Sequence, residues 1–183
     1  MDNGKISVRY ARALLNQANI EHCADEVYAC LMRLTANYGI AINQFNEVLS
    51  NPMIDTKEKL QLLHTAIGEP IHPFVTHFLE FLTAKKRENK VFLIALEYQE
   101  LYRKANNIVR ADITTAMAID DTALEQIRAF IEQKLHSTVE THLKVDPTLI
   151  GGFTLDIEHS RMDASIKGQL EKLKTENGKR KTI

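Results

Sequence analysis

V-E-T-H-L-K-V-D-P-T-L-I-G-G-F-T-L-D-I, residues 139–157, is the stretch whose reading decides the fold of the second half of the chain. Val139, Thr141, Leu143 and Val145 alternate with Glu140, His142, Lys144 and Asp146, so a strand here has one apolar and one polar face. Asp146-Pro147 ends it, because proline cannot donate to a ladder and restricts the residue before it. Gly151-Gly152 allows a sharp turn or a close approach to neighbouring backbone. Phe153, Leu155 and Ile157 then alternate as a second strand. Glu158 to Arg161 reads as a polar turn, and Ile166, Leu170 and Leu173 place one apolar stripe on a closing helix.

Upstream, I-V-R-A-D-I-T-T-A-M-A-I (residues 108–119) sets Val109, Ala111, Ile113, Thr115 and Met117 on one face of another strand. Asp120 or Asp121 can cap a helix reaching Leu135, with Leu124, Ile127, Ile131 and Leu135 turned inward. Asn106-Asn107 marks the boundary with what precedes. The expected second domain, residues 106–183, is therefore β-α-β-β-α, with its tail from about residue 175 disordered.

Residues 1–105 carry helical periodicity throughout. Ile6 to Asn19 puts Tyr10, Leu14 and Ala18 on one face; Val27, Leu31, Leu34 and Tyr38 mark a second helix that yields near Gly39. Ile40 to Leu49 is a third. After the Asn51-Pro52 break, Asp55 or Thr56 caps a fourth carrying Leu60, Leu63 and Ile67. A fifth runs from about Pro73 to Arg87, and a sixth from Val91 to Ala105. Six short helices with short connections predict a bundle, and the whole chain is α+β.

Composition narrows the function classes. There are 23 Lys and Arg against 24 Asp and Glu, a net charge of -1, balanced between the halves, so no basic face points to nucleic acid. Lys179-Arg180-Lys181 reads as a solvated tail. Cys23 and Cys30, seven apart on one helix, lie about 10 Å apart along the axis, too far for a disulfide. They lack C-x-x-C spacing, and a reducing compartment follows. The longest apolar run, Val91 to Leu96, falls far short of the roughly 18 residues of a membrane span, and Met1 to Lys5 carries no targeting signal.

Catalytic patterns are missing from the sequence. Its seven histidines include no H-E-x-x-H, and His72 and His77 fall on different helix faces. No G-K-[ST] follows Gly151-Gly152, and a strand comes next rather than a helix N-terminus, so no phosphate cradle forms. Asp163 and Ser165 could be offered as base and nucleophile, but no histidine stands between them, and Asp163 reads as a cap or hairpin pin. No cofactor or metal is expected. The fifth helix departs from this plain picture. Phe74, Phe78 and Phe81 form one line, and Val75, Leu79 and Leu82 another about 100° round. Their combined arc is wide enough to be buried from two sides. The helix is then either central to its own bundle or lines a groove open to a partner helix.

D-P-x-L-I-G-G, followed after ten residues by D-x-S-x-x-x-Q-L, resembles the C-terminal signature of the ATP synthase delta subunit family, whose mitochondrial member is the oligomycin-sensitivity-conferring protein. The positions are Asp146, Leu149, Ile150, Gly151, Gly152, Asp163, Ser165, Gln169 and Leu170. Val8 to Ala18 resembles the family's opening helix, with Val8 where alanine is usual. Asn51 to Ile54 with Lys57 also fits, as does Arg87, whereas Lys85 stands where the family tends to have asparagine.

The resemblance implies a non-catalytic peripheral-stalk subunit, one copy per complex, that stops the alpha/beta head of a proton- or sodium-translocating ATP synthase from turning with its shaft. It implies that residues 1–105 hold the N-terminus of an alpha subunit between the first and fifth helices. Residues 106–183 would engage the C-terminal helices of the b subunits. The expected groove residues are Ile6, Tyr10 and Leu14 from the first helix and Phe78, Phe81 and Leu82 from the fifth. Direct entry at Met1 favours a bacterial complex, with the chain peripheral on the cytoplasmic face of the plasma membrane. Two rivals come from other classes. One is an unrelated helical adaptor for some amphipathic helix. The other is a small hydrolase, which needs His142 or His159 beside Asp163.

Overall fold

A computed structural model of the protein describes residues 3–157 and 160–170. The chain divides into two compact units, Met1–Ala105 and Asn106–Ile183. The first holds α1 (Asn3–Ile20), α2 (Ala24–Ile40), α3 (Ile42–Ser50), α4 (Thr56–Ile67), α5 (Pro73–Ala84) and α6 (Val91–Ala105), with a 3-10 turn at Glu88–Lys90. The second holds β1 (Ile108–Thr115), α7 (Asp121–Leu135), β2 (Thr138–Val145), β3 (Phe153–Ile157) and β4 (Ser160–Asp163), with a 3-10 turn at Pro147–Leu149. Glu158 and His159 of the expected polar turn, Leu173 of the closing helix and the tail from about residue 175 lie outside the described residues.

In the helical unit α6 is the spine, packed on α1 and α2, while α4 joins α2 to α5. Ile94, Ala95 and Tyr98 recur at near-helical spacing and are all buried. The polar ends of the large aromatics are satisfied as they go under: Tyr98 donates to the Ala24 carbonyl at 3.0 Å, and Tyr102 to Asp25 at 2.8 Å. Tyr38 is stacked between Phe45 and Phe92, with centroids at 4.5 and 4.7 Å, and donates to Asn46 at 2.8 Å. Burial pushes the Tyr38 phenol up to about 12.

The helix boundaries follow local chemistry. Asp55 takes the Thr56 N–H at 2.7 Å and opens α4, and His72 accepts from the Phe74 N–H before Pro73 opens α5. α5 stops at Ala84 and does not reach Arg87 as expected. Lys86 is left-handed (φ 55°), and the Lys86 and Arg87 N–H groups return to the Thr83 and Leu82 carbonyls, a Schellman closure.

The second unit is a four-stranded sheet in the order β2-β1-β3-β4, with β1 and β2 parallel across α7 and the other pairs antiparallel. Ala111, Ile113, Val139, Leu155 and Ile131 form its core. Asp120 caps α7 by accepting the Ala123 N–H. Glu132 accepts from the Val139 N–H at 3.0 Å and pairs with Arg128, which ties α7 to β2 and lowers its carboxyl below the usual range.

Three expectations here need correction. Ser160–Asp163 is a strand, where a polar turn through Arg161 was expected; its antiparallel pairing with β3 puts Arg161 and Met162 in ladder register with Asp156 and Leu155. The inward set of α7 ends before Leu135, which is exposed. Leu143 and Val145 on the edge strand β2, and Met117 beyond the end of β1, lie outside the core cluster and are exposed. Alternation fixes which face they occupy, not how far α7 covers that face.

Candidate functional site

The two apolar lines of α5 have separate fates. Val75, Leu79 and Leu82 are buried in the helical unit. Phe74 and Phe78 are only half-buried, and Phe81 is 46% exposed. They form one wall of a groove of about 490 Å³, whose other wall is α1, lined by Arg9, Tyr10, Ala13, Leu14 and Gln17. The spacing 10, 13, 14, 17 on α1 matches 74, 77, 78, 81 on α5, so each wall presents two helical turns, about 10 Å. Tyr10 meets Phe81 with ring centroids 6.1 Å apart, so the two walls touch at that point.

Of the six residues expected here, Tyr10, Leu14, Phe78 and Phe81 line the groove. Ile6 lies beyond its end, half-buried, and is not among the lining residues. Leu82 is 1% exposed and belongs to the core, because a step of one residue from Phe81 turns the side chain by about 100°. The expected set left out five lining residues: Phe74, which stood in the aromatic line but was not chosen, and Arg9, Ala13, Gln17 and His77. Ala13, Gln17 and His77 share the phase of the aromatic lines, but alanine, glutamine and histidine give no hydropathy signal. The rim is cationic: Arg9 lines the groove, and Lys85 Nζ stands 5.9 Å over the Phe81 ring.

The groove walls are mostly apolar and aromatic, with Arg9, Gln17 and His77 their polar members. Among the described residues, no group of three His, Cys, Asp or Glu side chains converges on a point. Asp163 and Ser165 are together, but as a cap. Asp163 Oδ1 accepts from the Ser165 N–H at 2.9 Å and from its hydroxyl at 2.6 Å, and Ser165 Oγ accepts the Gly168 N–H at 3.0 Å. His142 sits on β2, three strand positions from β4 and so about 14 Å away across the sheet.

Asp146, Leu149 and Gly152 of the signature also serve the local fold. Asp146 accepts the Thr148 N–H at 2.9 Å, which holds its carboxyl below the usual range, and Leu149 is buried. Gly152 has φ 75°, and a Cβ there would lie 2.3 Å from the Ala164 carbonyl oxygen.

A sequence profile of the ATP synthase delta (OSCP) subunit matches residues 6–176. The chain belongs to this family. It is 35% identical over 175 residues to the ATP synthase subunit delta of Parabacteroides distasonis, covering 96% of this chain and 97% of that protein. It is 34% identical over 172 residues to that of Phocaeicola vulgatus, covering 93% and 92%. The fold also resembles a chain of the mitochondrial ATP synthase hexamer of Toxoplasma gondii, with a TM-score of 0.67 at 17% identity over 93% of this chain and 96% of that one. The family is that of a non-catalytic stator subunit of the membrane-associated ATP synthase. No helix among the described residues is long and apolar enough to cross a membrane.

Proposed function

We propose that the protein joins the catalytic head to the peripheral stalk by clamping the N-terminal helix of an alpha subunit in the α1/α5 groove. The second unit engages the C-terminal helices of the b subunits, and one copy serves each complex on the cytoplasmic face of the membrane. The observation that carries this reading is the open groove, with half-exposed aromatic rings on a helix whose adjoining line of Val75, Leu79 and Leu82 is buried. A monomeric domain would cover such a line with its own side chains; here it is left free for another helix.

The work of the joint is mechanical. Torque on the head must be resisted for as long as the shaft turns, so the contact needs slow dissociation more than speed. Aromatic anchors suit this, since each buried side chain of this size contributes roughly 1.5–3 kcal/mol. The adaptor and hydrolase alternatives give way to family membership.

The chain contains no tryptophan, so a Trp-bearing peptide copied from the alpha N-terminus can be titrated against it without background emission. Saturable binding that Phe81→Asp strongly weakens is expected. Absence of both an emission change and calorimetric heat would show that the groove is not the alpha site.

A further inference from the structure

The groove has a charge to match as well as a shape. We propose that its α1 wall selects a helix carrying carboxylates along one flank, with Arg9 the principal determinant. This rests on the groove being a helix-docking site and adds the chemistry its occupant must have.

Lys5, Arg9 and Arg12 recur at i, i+4 and i+7, which makes one stripe along α1, and all three are exposed. Arg9 is shared between the groove and an adjoining depression formed by Gly4, Lys5, Val8 and Arg12. Lys85 stands over Phe81 at the same end, because Tyr10 and Phe81 are paired there. Of the other cations in this unit, Lys59 is paired with Glu88 at 2.8 Å, and Arg103 and Lys104 with Glu100. Among the described residues no carboxylate answers Lys5, Arg9, Arg12 or Lys85. The first turn of α1 holds no acidic side chain, and Glu21, at the far end, accepts from Gln17. The positive N-terminal end of the α1 dipole adds to the excess.

The whole chain has a net charge of -1, so this positive edge is local and borders an apolar trough. That combination fits an amphipathic helix with an acidic flank. Cations on a rim act mainly through encounter: they raise the association rate and make it sensitive to salt.

The test uses the full chain and a fluorescent peptide copying the alpha subunit's N-terminal segment, with a second peptide whose Asp and Glu are replaced by Asn and Gln. At about 0.05 M salt, Arg9→Glu and the amide peptide should each weaken binding about tenfold, chiefly by slower association; near 0.5 M the loss should shrink to about twofold. A Glu→Lys peptide should recover affinity for the Arg9→Glu protein. Arg9 is exposed, so circular dichroism should report an unchanged fold. Equal affinities of the wild-type and Arg9→Glu proteins at low salt, with Phe81→Ala still defective, overturn charge selection and leave the groove standing. Failure of both peptides at any salt overturns the groove reading itself. An alpha segment without carboxylates, or an Arg9→Glu protein that loses only its binding to anionic vesicles, also overturns the proposal.

Discussion

The α1/α5 groove and the hairpin of residues 146–165 treat their polar and apolar groups in opposite ways. In the hairpin the local donors and acceptors close on one another: Asp146 on Thr148, Asp163 on Ser165, Ser165 on Gly168, with Gly152 tucked under the Ala164 carbonyl. In the groove the rings stay half in water and the cations go unanswered among the described residues. The hairpin carries the fixed-spacing signature, and the groove carries only a phase. At Asp146, Leu149, Gly152, Asp163 and Ser165 the fixed spacing marks what the second unit needs in order to fold, whereas the surface we assign to partner binding is written largely in partly exposed side chains such as Tyr10, Phe78 and Phe81.

The largest effects should separate the two lines of α5. Leu79→Ala, on the buried line, should cost about 3 kcal/mol of unfolding free energy in urea titration. Phe81→Ala should cost under about 1 kcal/mol there, since the ring is already half in water. For peptide binding the order should invert. Phe81→Asp should lose about 3 kcal/mol while Leu79→Ala, where folded, binds normally, because an unpaired carboxylate would face apolar surface. If both variants lost stability equally, the division of α5 into core and groove would be wrong.

On the hairpin side, Gly152→Ala should destabilise the second unit by about 2 kcal/mol, because its Cβ meets backbone and φ is positive. Thermal unfolding that leaves the sheet unaffected would show that the close approach relaxes at no cost.

Alkaline pH tests the helical unit alone. Tyr38 holds its proton up to about 12 in the folded protein, against about 10 in an unfolded chain. Its contribution is complete below pH 10 and falls away as pH rises toward 12, by roughly 2–3 kcal/mol over that interval. Tyr38→Phe should flatten this slope in urea titrations at successive pH values. The smallest effect belongs to Ile150, a β-branched residue held at φ 68° and 67% exposed. Ile150→Gly should stabilise the second unit by about 1 kcal/mol, and a melting temperature that falls would mean the side chain has a packing role.

Much of this was legible beforehand. The chain division at Asn106, the caps at Asp55 and Asp120, and the turn at Asp146-Pro147 each rest on one residue's local chemistry. Tyr10, Leu14, Phe78 and Phe81 were readable as a candidate wall because aromatics and leucine stand out at helical spacing. Ala13, Gln17 and His77 were not, since their place in the groove comes from the neighbour opposite. The β4 strand was hidden because Ser160-Arg161-Met162 has too few apolar residues to alternate, and its ladder partner supplies the pattern.

The sequence by itself determined the helical and mixed halves, the hairpin signature and the family, because propensity, capping and turn geometry act within a few residues. Only the tertiary structure decided which of two apolar lines on α5 is core. Periodicity gives the angle between them but not which side the rest of the unit occupies, and that is fixed by where α4 and α2 come to lie.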